Sequence, residues 1–164
     1  MISSEAVRFL NQAATRNQPF FLFLHSFLVH NYVPRAQYVE RLFPQREADL
    51  LARDPFELHL RSLQSGDREA GGELELLYQA TVLEADERIV GRLLDELDRL
   101  GLDDRTLVVL VSDHGEEFFE HDDFGHGKVP WTEVVSVPWI LRGPGVLAGH
   151  VVDHPVRLID VAPT

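Results

Sequence analysis

Three strand-length apolar runs constrain this chain more than any other feature: FFLFLHSF (20–27), TLVVLVS (106–112) and VPWILRG (137–143). Pro19 precedes the first, Asp113-His114-Gly115 follows the second almost at once, and the third leads into Gly-Pro-Gly. A near-continuous apolar run of this length fits a strand covered on both faces, as in a parallel sheet between helices. Between the first two runs, Leu76, Ala80, Leu83, Val90, Leu94 and Leu97 recur at three- and four-residue steps. That stripe predicts a helix from about Glu73 to Leu100, with Gly101 placed to end it. Strand, helices, strand, loop and strand in this order predict an α/β layer fold with a mostly parallel sheet flanked by helices.

At 164 residues the chain supports one domain with a sizeable core. Residues 3 to 16 read as a further helix, capped by Ser3 or Ser4, with Ala6, Val7, Phe9, Leu10, Ala13 and Ala14 on its apolar face. Residues 31 to 72 are divided by Pro34, Pro44 and Pro55 into short helical pieces and close with the flexible SGDREAGG. Asp86 falls on the apolar stripe of the long helix, where a carboxylate is expected to take a hydrogen-bonded structural role rather than a catalytic one.

Charge is concentrated in SDHGEEFFEHDDFGHGK (112–128), which holds six carboxylates, three histidines and Lys128, the only lysine in the chain. The net charge of −12 argues against nucleic acid, because no basic stripe exists to neutralise phosphates. An anionic small substrate would need a cation supplied at the site itself. With no cysteine, disulfides, thiolate metal sites and cysteine nucleophiles are excluded. The first residues lack the charged start and apolar run of a secretory signal. PFFLFLHSFLV is about half the length that a spanning helix needs. The sequence leaves localisation and oligomeric state open.

Ligands of open parallel sheets bind beyond the carboxyl ends of the strands. Asp113 and His114 follow one such strand and His30 lies just past another, so the sheet can bring them and the 126–128 segment to one rim. An adjacent Asp and His can offer an oxygen and a nitrogen to one divalent ion. Lys128 adds a mobile positive charge suited to a sulfate or phosphate oxygen. The residues by themselves leave a structural turn at Asp113-His114 equally open. Glu116, Glu117, Glu120, Asp122 and Asp123 read as solvated surface. His121 reads as an exposed loop residue and His25 as a hydrogen-bonded core histidine, while His59, His150 and His154 carry no pattern. The offsets of an EF-hand, HExxH, GxxxxGK[ST], a dinucleotide fingerprint and Gly-x-Ser-x-Gly are all missing.

Four segments in order resemble the sulfatase family of the alkaline-phosphatase superfamily. PFFLFLHSFLVHNYVP is similar to the family's PFFLFLHYFDPHxPY, with Leu28-Val29 in place of Asp-Pro. LYQATVLEADERIVGRLLDELDRLGLDDRTLVVLVSDHGEE resembles its long helix, strand and metal-binding turn. FGHGKVPWTEVVSVPWILRGPG is similar to GHGKTLYEEVVRVPLIIRGPG, and RLIDVAPT to the stretch ending in Asp-x-x-Pro-Thr.

The resemblance implies an alkaline-phosphatase-like fold, here incomplete. Residues 1–164 would form a single partial catalytic domain, its second half, with 31–72 as a variable insertion-like region. It implies that Asp113 and His114 ligate one divalent cation, calcium first, with zinc or manganese as alternatives. Lys128 and His30 match catalytic positions that contact the sulfate group, and His126 lies where relatives place a substrate or second-metal histidine. The implied partner is a sulfate or phosphate ester, small molecule or glycan. Complete members are often exported and carry a Cys- or Ser-x-Pro-x-Arg segment whose first residue becomes formylglycine, the nucleophile. Here Ser136-Val137-Pro138 has Ile140 where that arginine would stand, so the nucleophile is expected from elsewhere. Three readings follow: a sulfatase-type hydrolase, a phosphodiesterase or phosphotransferase relative using zinc or manganese, and a non-catalytic truncated product with exposed strand edges.

Overall fold

The computed structural model describes residues 2–16 and 18–163, with side chains from residue 4 onward. Helix α1 spans Ile2–Arg16. Ser3 and Ser4 therefore lie within its first turn rather than ahead of it. After the extended residues 18–27 and a single 3-10 turn at Val29–Asn31 come α2 (Ala36–Leu42), α3 (Glu47–Leu51) and α4 (Pro55–Ser65). Helix α5 (Arg68–Ala85) continues through a π-helical segment, Asp86–Gly91, into α6 (Arg92–Arg99). The prolines at 34, 44 and 55 mark the breaks between the short helices, as their missing N–H and fixed φ require. Gly101, at φ 62°, ends the rod in the left-handed conformation, and the Leu102 N–H closes back on the Leu97 carbonyl at 2.9 Å.

Two apolar clusters hold these helices. In the larger one, Tyr38, Val39, Leu50 and Leu58 from α2–α4 pack on Leu74, Leu77 and Ala80 of α5, with Tyr32 and Phe124. In the second, Leu10 of α1 meets Leu97 and Leu102, joined by Phe20, Leu22, Leu93, Leu94 and Val108. The buried face of α5 thus runs through Ala70, Leu74, Leu77, Ala80, Thr81 and Glu84; of the expected line Ala80 is fully buried, while Leu76 and Leu83 are partly covered at the edge of the same cluster. The wider turn of the π segment rotates the rod's apolar face, so that α6 serves the second cluster. Asp86 is exposed. The structural carboxylate is instead Glu84, which accepts from the Arg35 backbone N–H at 2.7 Å and pairs with Arg88. A buried acid needs such partners to offset its lost hydration.

Strand β1 (Val108–Val111) pairs with β4 (Trp139–Arg142) in register Val108↔Arg142 to Val111↔Trp139. Strands β2 (Glu117–Phe118) and β3 (Phe124–Gly125) form a small hairpin. Both ladders are antiparallel, so the mostly parallel sheet expected from the apolar runs is not formed among the described residues. A parallel return needs a crossover, usually a full helix. The β1–β4 connection instead holds the hairpin and the one-turn helix α7 (Thr132–Val135), and it brings the chain back beside itself.

The 20–27 run is extended but lies in no ladder among the described residues, and it alternates. Phe20, Leu22 and Leu24 are partly covered, whereas Phe21 is 87% and Phe23 76% exposed. Val109, Val111 and Ile140 are likewise exposed. Helices cover one face of this layer only, through Phe20, Leu22 and Val108. Burial on both faces is therefore corrected to burial on one. His25 is corrected with it: it points outward, its ring 4.8 Å from that of Phe27, rather than sitting in a core. No helix of the described residues is long and apolar enough to cross a membrane.

Candidate functional site

Asp113 and His114 leave the end of β1 in a turn that its own polar groups hold. The Ser112 hydroxyl donates to the His114 carbonyl at 2.6 Å, and the His114 N–H to Asp113 Oδ1 at 3.1 Å. His114 Nδ1 lies 2.7 Å from the Gly115 carbonyl. A carbonyl only accepts, so Nδ1 carries the proton and Nε2 keeps its lone pair. That lone pair stands 3.9 Å from Asp113 Oδ2, close enough for both atoms to reach one ion. Fixing the imidazole through its other nitrogen is how proteins orient a metal-binding histidine. The donors fit a divalent cation as two corners of a shell; no cluster of three or more such ligands forms among the described residues. The carboxylate suits calcium or manganese, which take oxygen donors, whereas the imidazole suits zinc.

Beside this pair lies a group of aromatic and imidazole rings. The His126 ring is 3.9 Å from His114 and 5.5 Å from His30. His30 sits in the Val29–Asn31 turn, which Tyr32 closes in the left-handed conformation at φ 51°. The structure thus brings Asp113, His114, His126 and His30 together, four of the five residues singled out from the sequence. The fifth, Lys128, is half-exposed and its ammonium rests on Asp123 at 2.5 Å. That ion pair, helped by the Phe124 N–H, holds the Asp123 carboxyl below its ordinary range.

Sequence reasoning missed three residues here. Glu116 and Glu117, read as solvated, are both buried. Glu117 accepts the His121 N–H at 3.0 Å. Glu116 accepts from the Tyr32 hydroxyl with one oxygen and stands 2.9 Å from His126 Nδ1 with the other. Burial first, then the Glu116 carboxylate, push the Tyr32 hydroxyl strongly up, so it stays a donor. His59, on α4, lies 5.9 Å from the Tyr32 ring and 5.5 Å from Phe124. The available signal was Phe118-Phe119 directly after the two glutamates, since a solvated acidic run carries no such aromatic pair. His121 is no ligand candidate: it stacks on Trp131 at 4.0 Å and meets Glu133 at 3.1 Å.

Burial also lowers the proton affinity of His59 below its ordinary value of 6.5, with His30 and His126 adding to the effect against the opposing Glu116 charge. The unfolded chain therefore takes up this proton first as pH falls. Stability is expected to be full above pH 6.5 and to fall below it, levelling off under the depressed folded value. Urea midpoints at pH 7.5 and 5.5 check this: His59→Gln should lose less on acidification than the unmodified chain, and equal losses would count against it.

Asp113 and His114 also border a cavity of about 620 Å³, lined mainly by Val134, Val137, Trp139, Pro155 and Leu158. The Trp139 Nε1–H is buried without a hydrogen-bond partner. The arrangement offers a two-donor cation position, imidazoles that can contact an oxyanion, and an apolar space for an organic group.

The profile of the family described as Sulfatase matches residues 2–164. An ulvan-active sulfatase of Formosa agariphila is 36% identical over 125 residues, covering 74% of this chain and 24% of that protein. Arylsulfatase K of Bos taurus is 37% identical over 92 residues, covering 56% and 16%. Steryl-sulfatase of Rattus norvegicus is 38% identical over 108 residues, covering 58% and 18%. The chain thus spans a quarter or less of the length of these relatives. The crystal structure of yidJ from Bacteroides fragilis superposes with a TM-score of 0.64 at 24% identity, over 87% of this chain and 30% of that one, which supports the alkaline-phosphatase-like α/β fold. Matched by the family profile along its length and by named relatives at more than a third identity, this chain belongs to the sulfatase family.

Proposed function

We propose that residues 1–164 form a partial catalytic domain that binds the cation and the oxyanion in a metal-dependent sulfatase-type hydrolase. The observation that supports this best is the Asp113–His114 pair, with the Nε2 lone pair of His114 freed by the Gly115 carbonyl beside the rings of His126 and His30. A divalent ion there would supply the positive field that a chain of net charge −12 lacks for an anionic ester. His30 and His126 contact the sulfate oxygens or the leaving group by hydrogen bonding. Lys128 joins them when an anionic oxygen displaces Asp123 from its ammonium. The apolar cavity takes the organic part of the ester. No Cys- or Ser-x-Pro-x-Arg segment occurs in these residues, so no nucleophilic step is assigned to them.

The metal reading is tested by titrating calcium, zinc and manganese into the chain by calorimetry. One ion per chain is expected, with binding weakened at least about tenfold in Asp113→Ala and His114→Ala. Unchanged uptake in both would end this reading. The imidazole ligand favours zinc in direct competition; a calcium preference would return the site to the resemblance's first choice.

The ester is decided in a protein joining these residues to a Cys- or Ser-x-Pro-x-Arg segment, assayed with paired sulfate and phosphate esters. Lys128→Ala is expected to cut sulfate-ester kcat/KM by about 100-fold or more. A phosphate preference would instead support the phosphodiesterase or phosphotransferase reading, which the carboxylate–imidazole donor set also fits.

A further inference from the structure

We infer that Glu116, oriented by Tyr32, is the positioning residue that fixes the ring and tautomer of His126. This deepens the proposed function, because it assumes that His126 faces the ester.

The register of the small hairpin accounts for the placement. Glu117 pairs with Gly125, so the preceding Glu116 falls opposite the following His126. The contact is therefore set by the ladder rather than by chance approach of two loops. Glu116 is almost fully covered, its side chain 5% exposed. Its two oxygens are each engaged, one by the Tyr32 hydroxyl and one by His126 Nδ1 at 2.9 Å. An ionised carboxylate only accepts, so two donors converge on it, and His126 holds its proton on Nδ1. The lone pair of the neutral ring then resides on Nε2, on the side of the ring away from Glu116. There it can accept a proton or contact the ester while the ring stays against His114.

Tyr32 links this to the other imidazole. Its backbone N–H closes the turn that carries His30, and its hydroxyl holds Glu116. One residue of the core thereby sets the positions of both histidines. Packing alone gives no reason for an acid here, since a buried carboxylate costs stability unless its partners satisfy it. The partners it has are those that position a histidine.

The test uses the chain labelled with ¹⁵N-histidine, with His126→Gln to assign its ring signals. The unmodified chain is expected to show His126 as the Nδ1–H tautomer. Glu116→Leu keeps the volume but removes the acceptor, and the Nε2–H form should emerge. Glu116→Gln retains an acceptor oxygen and should restore the Nδ1–H form. In a protein active on sulfate esters, kcat/KM should fall about 10- to 100-fold in Glu116→Leu and largely recover in Glu116→Gln. An Nε2–H tautomer in the unmodified chain, or an unchanged Nδ1–H tautomer in Glu116→Leu, overturns the inference. If no sulfate ester is turned over at all, the proposed function fails, while the tautomer readout still decides the role of Glu116.

Discussion

Gly115→Ala is expected to destabilise the chain by about 3 kcal/mol or more and to abolish tight cation binding. A Cβ at this position would stand 2.0 Å from the Glu133 carbonyl oxygen, 3.1 Å from its carbon and 3.5 Å from Val134 Cα. All three are backbone atoms of α7, so no side chain can swing aside to make room. The same glycine donates its N–H to the Val134 carbonyl at 2.7 Å, which clamps the turn against the helix. Its own carbonyl holds His114 Nδ1. Pushing the turn off α7 therefore moves the proposed ligand as well as the backbone. Gly72→Ala is the control: that glycine lies inside α5 with nothing within 4 Å of an added Cβ, and alanine there should gain about 0.5–1 kcal/mol. Urea unfolding and zinc or manganese titration on both variants check the contrast. If Gly115→Ala is as stable and binds as well as Gly72→Ala, the turn is not clamped as described.

The local parts of this turn were legible in the sequence; its supports were not. Asp-His-Gly after a strand-length apolar run made a strand end readable here, and β1 does end just before it, at Val111. The long helix and its end at Gly101 were legible for the same reason, since periodicity and a left-handed glycine are local properties. Which stripe of α5 faces inward was not. Leu74 and Leu77 compete with Leu76 and Leu83 at the same spacing, and only the helices packed on the rod decide which pair is fully covered. Strand direction was hidden for a similar reason. The alternation of Phe20 to Phe27 is masked because apolar residues occupy both the covered and the open positions. Glu116 was the hardest, because what buries it, the Tyr32 hydroxyl, lies 84 positions away. Nothing in a window around an acidic run reports a partner at that distance.

The second large effect is expected at Phe124. Its ring is 1% exposed and lies 5.7 Å from Phe118, 5.5 Å from Phe119 and 5.5 Å from His59. It is paired with Phe118 across the hairpin that places His126 opposite Glu116. Phe124→Ala should cost about 3–5 kcal/mol, the transfer term plus a cavity that the surrounding rings fill only in part. Phe21→Ala removes the same atoms from a side chain that is 87% exposed and should stay within about 0.5 kcal/mol. Phe21 stands in an apolar run and Phe124 between charged and glycine residues, so sequence context predicts the larger loss at Phe21 and burial predicts the reverse. Urea midpoints of the two variants separate these expectations. The site adds a second reading from the same proteins: with the hairpin's buried ring gone, His126 should lose its single Nδ1–H signal in Phe124→Ala and keep it in Phe21→Ala. Equal losses of stability would mean that the cluster joining α5 to the hairpin is not what holds the four site residues together.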